Sequence, residues 1–154
     1  MTTIWPISRI LLIEILDDRI TDQFVSQLVW ERLGYLKSSN DNEVWLATKE
    51  TPSNWSLFFP ESPQIIANRA ASVHLTRSIP KEYKQSLKNY LNFDGYKINE
   101  LFPRRTRRAT AVNWLLAFFI SNRGGKLPEC GPMPELLMPP KNPLQGHPGD
   151  KPVE

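Results

Sequence analysis

The chain has 154 residues and a mass of 17.8 kDa, a length that fits one compact domain able to bury about two-thirds of its unfolded surface. A formal net charge of +3 and a pI ≈ 9.1 are too mild to mark a nucleic-acid binder by themselves. A lone cysteine, Cys130, excludes an internal disulfide and fits a reducing compartment such as a cytoplasm or plastid stroma.

The opening MTTIWPISRILLIEIL carries an apolar run, but Glu14 interrupts it and no small-residue cleavage site follows, so it predicts neither a signal peptide nor a membrane span. Ile10, Ile13, Leu16 and Ile20 recur at near-helical spacing and predict a first helix, with a strand as the alternative because the run is β-branched. Thr21 is placed to cap a second helix, with Asp22 in its first turn and Phe24, Val25, Leu28, Val29 and Leu33 on its apolar side; Gly34 ends it. Two short β-like runs, Tyr35-Leu36 and Val44-Trp45-Leu46, flank SSNDN at residues 38–42 and predict a hairpin. TPSNWSLFFPESP, residues 51–63, reads as an irregular loop whose Trp55, Phe58 and Phe59 pack back onto the domain. Val73-His74-Leu75 reads as an extended piece before Ser78, which caps a helix with Pro80 in its first turn. In that helix Tyr83, Leu87, Tyr90 and Leu91 share a face beside a solvated stripe of Lys81, Lys84 and Lys88. Asn92 stops it, Asp94-Gly95 supplies a turn, and a last helix runs from about Pro103 to Asn122. Eight of the 14 prolines fall in the last 27 residues. The reading is therefore a single globular domain over 1–123, mainly α with a small antiparallel hairpin, and a disordered or polyproline-like tail over 124–154.

Arg104, Arg105, Arg107 and Arg108 crowd the start of the last helix, where cationic side chains oppose the positive end of the helix dipole and call for a compensating anion. A helical wheel at about 100° per residue puts Arg105 and Arg108 on the stripe of Ala109, Val112, Leu115, Leu116 and Phe119. One reading is a site for phosphate, sulfate or carboxylate on a partner, formed by the four arginines with Thr106 and Lys97. The other is internal pairing with Glu100, Asp94, Asp17 or Asp18. Trp114 and Phe118 make the opposite face apolar, so the helix is either central to the fold or in contact with a partner.

Other chemistry is thinner. Glu14, Asp17, Asp18 and Asp22 lack the alternating oxygen ligands of a calcium loop and read as solvated helix ends. His74 and His147 are the only histidines, which gives little basis for a metal site or a catalytic triad. No GxxxxGK[ST], GxGxxG or GxSxG occurs, so no cofactor, metal or catalytic set is assigned. Trp30, Tyr35, Trp45, Trp55, Phe58 and Phe59 suit either base stacking or a second part of the core under the long loop. PELLMPPKNP, residues 134–143, reads as a passive tail or as a short docking motif.

Two stretches carry a resemblance. HLTRSIPKEYKQSLKNYLNFDGYKINELFPRRTRRATAVNWLLAF, residues 74–118, and ILDDRITDQFVSQLVWERLGY, residues 15–35, resemble a cyanobacterial and chloroplast family, domain of unknown function 1823. LTRSIP and TRRATAxNWLL are its more specific parts. The resemblance implies that most of residues 10–121 belongs to the domain and that the setting is the cytoplasm or plastid stroma of an oxygenic phototroph. It transfers no catalytic residue.

Two functions are therefore expected. The first is a non-catalytic accessory protein that binds an anionic surface of a protein partner or complex through the basic helix start and the apolar face. The second is nucleic-acid binding by a loose helix-turn-helix, with the hairpin as a wing.

Overall fold

The computed structural model describes residues 4–40, 44–123 and 125–154. Among the described residues there are six α-helices and one two-stranded sheet, and the longest helix, α6, Pro103–Arg123, packs against α1 (Arg9–Leu16), α2 (Asp22–Arg32), α4 (Arg69–Ser78) and α5 (Ser86–Leu91). The mainly α reading with a hairpin holds.

Local chemistry explains the first half. Ser8 Oγ accepts from the backbone N–H of Leu11 and starts α1, which buries Leu11, Leu12, Ile15 and Leu16. Thr21 Oγ1 does the same for Phe24 at the start of α2, as expected of an N-cap threonine. Gly34 follows α2 at φ 87°, and a Cβ there would stand 3.1 Å from the backbone of Glu50 and Thr51. Only glycine combines that dihedral with that approach. Strands β1 (Leu36–Lys37) and β2 (Trp45–Leu46) pair antiparallel with Leu36 opposite Leu46. Residues 41 and 42 of the expected turn lie outside the described residues, as do residues 1–3 and 124 of the expected domain and tail.

Three expectations are corrected. Residues 73–75, read as extended, lie inside α4, whose N-cap is Asn68, with its Oδ1 accepting from Ala71 N–H. Ser78 closes α4 instead of opening a helix, and the residues after Pro80 form a 3₁₀ turn, Lys81–Tyr83, before α5. The loop over 51–63 contains a one-turn helix, α3, Ser53–Ser56. Beneath it Trp30, Tyr35, Trp45 and Trp55 are buried, with Trp30 Nε1 donating to Pro63 O at 2.7 Å and Tyr35 Oη to Phe59 O at 2.7 Å. This aromatic group is core, although Phe58, expected to pack inward, is 70% exposed.

Residues 125–154 carry no helix or strand, in keeping with their prolines. They run along the domain: Pro128 O and Glu129 O accept from Arg9 N–H and Ile10 N–H, and Leu137 N–H donates to Arg19 O. Asp150 accepts from the N–H groups of Asp22 and Gln23 at 3.0 and 3.1 Å, supplementing the cap of α2 from far along the chain.

Candidate functional site

The α1–α2 turn brings two carboxylates to the start of α6. Asp18 takes the left-handed conformation, φ 61°, which aspartate tolerates better than most residues. Asp22 is the first residue of α2. Both point inward and are buried, 1% and 3% exposed.

Against them stand Arg104 and Arg108, one helical turn apart on α6 and as buried, 1% and 0% exposed. Arg104 grips Asp18 bidentately, Nη1 to Oδ2 at 2.7 Å and Nη2 to Oδ1 at 2.8 Å, while its Nε donates to Asp22 Oδ2 at 2.9 Å. Arg108 donates through Nη1 to Asp22 Oδ1 at 2.7 Å and through Nη2 to Ile15 O at 2.9 Å. Burial pulls the Arg104 guanidinium down, but its hydrogen bonds to Asp18 and Asp22 and their negative charge outweigh that and hold it above its ordinary range. Tyr96 closes one side: its hydroxyl donates to Leu16 O at 2.8 Å, and burial, the largest of several influences, pushes it up to about 12.

The other two arginines are also engaged. Arg105 lies over the Phe102 ring, 5.5 Å from its centre, with Nε 3.5 Å from Asp18 Oδ2. Arg107 donates to the carbonyls of Ile66, Ala67 and Glu154 at 2.7 to 3.1 Å. Burial, followed by the charge of Arg69, lowers the Arg107 guanidinium.

The anion at the mouth of α6 is thus internal, and the expected site is corrected on two points. Arg104 and Arg108 have no surface to offer a partner, and the core-side pair is Arg104 with Arg108 rather than Arg105 with Arg108. The buried stripe runs Arg104, Arg108, Ala111, Leu115, spacings of four, three and four that follow the helical period. Asp18 and Asp22, expected to be solvated, are its counterions. Trp114, offered as a partner contact, is 7% exposed and stacks on the half-buried Phe118 at 5.4 Å, so this stretch of α6 is central to the fold. Thr106 and Lys97 remain exposed.

What stays open lies beside this network. A cleft of about 520 Å³ runs between the end of α4, α5, the connector after it and the first half of α6, within the range of ligand-binding pockets. Lys84 and Lys88 stand on one wall, Asp94 on the connector, and Thr106 and Thr110 on α6. Asn113, 7% exposed, lines it as well; its Nδ2 reaches Lys84 O only at 3.5 Å, and its Oδ1 has no hydrogen-bond partner. Leu101, 55% exposed, is part of the rim. No apolar or charged pattern in the sequence marks this cleft. Its signal was Asn113 itself, a polar residue within the apolar run AVNWLL.

Among the described residues no helix is long and apolar enough to cross a membrane. No curated protein matches this sequence. A protein solved by solution NMR is similar at 46% identity and a TM-score of 0.66, over 80% of this chain and 99% of that one. The match of the family described as "Domain of unknown function (DUF1823)" covers residues 6–120, from just before α1 to near the end of α6, and the chain belongs to that family.

Proposed function

We propose that the protein is a non-catalytic accessory protein that binds an anionic surface of a protein partner or complex through the cleft beside α6. The observation that carries this reading is Asn113: a buried amide oxygen without a partner costs about 1–3 kcal/mol, and the residue that bears it lines an open cleft with Lys84 and Lys88 on its wall. The basic surface expected of the arginines moves to these lysines. The lone cysteine and the family resemblance support a setting in the cytoplasm or plastid stroma of an oxygenic phototroph. Nucleic-acid binding has less support, because Arg104 and Arg108 are too buried to reach phosphate.

The test is paired affinity capture from native lysate with the wild type and the Lys84→Glu/Lys88→Glu double variant. A protein retained reproducibly by the first and lost by the second, with circular dichroism unchanged, is the expected outcome. Equal capture by both sinks the reading.

A further inference from the structure

The cleft has three chemical faces, and together they describe an occupant. Asn113 lines the cleft, and the Oδ1 of that amide is buried without a hydrogen bond and so wants an N–H donor. The amide's other contact, Nδ2 to Lys84 O, is long at 3.5 Å and therefore weak. One wall is cationic: Lys84 follows the 3₁₀ turn and Lys88 lies four residues later within α5. Lys84 gives one N–H to Thr76 O at 2.8 Å, leaving two donors. Lys88 is exposed. The third face is apolar, with Ile79, Leu87, Ala109 and Leu101 in the lining. Ile98, just before Leu101 in the connector, is 94% exposed.

Resting on the protein-binding reading above, we propose that the occupant is an extended acidic segment of a partner protein. Its main-chain N–H donates to Asn113 Oδ1, its carboxylates face Lys84 and Lys88, and an intervening apolar side chain lies on Leu87 and Ala109. An extended chain suits this arrangement because successive side chains point to opposite sides while the backbone keeps its donors between them. Asp94, the acidic residue of the lining, sits on the connector and orients the segment with its carboxylates toward α5. Two lysines against one aspartate leave the lining positive, which favours an acidic segment over a basic one.

The test is a titration of the ¹⁵N-labelled full chain, followed by NMR, with an acetylated and amidated hexapeptide alternating leucine and glutamate. The expected result is shifts clustered on Leu87, Thr110 and Asn113, and no binding of the leucine–lysine counterpart. N-methylation of the peptide backbone, scanned one residue at a time, is expected to weaken binding about tenfold at one position, and Asn113→Ala to weaken it equally. The methylated peptides need no protein variant, so the result does not depend on how Asn113→Ala folds. Shifts elsewhere, no shifts, equal binding of the lysine peptide, or indifference to methylation at every position overturns the proposal. A silent peptide together with a partner captured in a Lys84- and Lys88-dependent way rejects the extended acidic segment alone; a silent peptide with no such capture rejects the protein-binding reading as well.

Discussion

Helix α6 meets two regions built on opposite terms. Toward the α1–α2 turn, Arg104 and Arg108 find two carboxylates and a carbonyl at 2.7 to 2.9 Å. Toward α4 and α5, Asn113 leaves an acceptor unsatisfied beside an open cleft. The first arrangement favours a unique packing, because each buried charge is neutralised only in one geometry. The second carries a local cost that folding alone does not require. Charge density in the sequence therefore pointed to the closed region, while the open one is marked by a single neutral amide.

The largest test of this contrast removes one arm of the closed network. Arg104→Met leaves Asp18 and Asp22 buried with most of their partners gone and is expected to cost about 3–5 kcal/mol, read as a fall in the urea midpoint. Adding Asp18→Asn, whose side chain also accepts the left-handed backbone, removes one orphaned charge. The double variant should be less destabilised than the sum of the two single ones, a coupling that a double-mutant cycle measures. Additive effects would mean that the pair is not an organising contact of the fold.

Half of that network was legible from sequence. Arg104 and Arg108 are four residues apart, one helical turn, whereas Asp18 and Asp22 are brought together by the α1–α2 turn. The apolar stripe of Ala109, Val112 and Leu116 points to Arg105, whereas burial in the first turns of α6 follows Arg104, Arg108 and Ala111. Polar residues carry little weight in an apolar periodicity, so a stripe that begins with arginine is read one residue out of register. Pairing across 82 to 86 residues of chain is tertiary information. Local signals fared better where a backbone dihedral or a cap decides the outcome: Thr21 caps α2, and Asn92 ends α5 at φ 55°. Helix α4 was missed because the β-branched Val73 suggested a strand, although Asn68 supplied a cap signal; packing against α6 outweighs that weak propensity.

A smaller effect tests how far the closed side extends into the proline-rich segment. Asp150, its side chain 1% exposed, accepts the first two N–H groups of α2. Asp150→Ala should cost about 1–2 kcal/mol, the range of a lost helix cap. Amide exchange at Asp22 and Gln23 is the measurement, and both amides should exchange faster in the variant. Unchanged protection would show that the segment's contact with α2 contributes nothing to holding that helix end.

On the open side the sign reverses. Asn113→Leu removes the unsatisfied oxygen and fills the same position with an apolar side chain, as its neighbours Val112 and Trp114 already do. Stability should rise by up to about 1 kcal/mol, since a buried polar atom without a partner is disfavoured. The same substitution should weaken binding in the cleft at least about tenfold, since the acceptor is lost. A loss of stability by more than that amount would show that the long contact to Lys84 O matters to the fold.

Glu31 offers the finest version of the same comparison, because its two oxygens differ within one side chain. Oε2 accepts from Trp5 N–H at 3.4 Å, while Oε1 is buried without a partner. Burial raises its pKa above the ordinary 4.5, against the opposing influence of the Trp5 hydrogen bond and the charges of Arg32 and Lys37. A raised acid favours the fold when protonated: its contribution is complete below the unfolded value of 4.5 and is lost as pH rises through the folded one. Glu31→Gln keeps an acceptor for Trp5 and stays neutral, so variant and wild type should be equally stable in acid. Just above the ordinary carboxylate range the variant should gain, reaching a plateau below about 1 kcal/mol at neutral pH, a limit set by the partial exposure of the group. Urea midpoints measured across that window separate the causes: a gain that grows with pH belongs to the buried charge, and one that is constant belongs to packing.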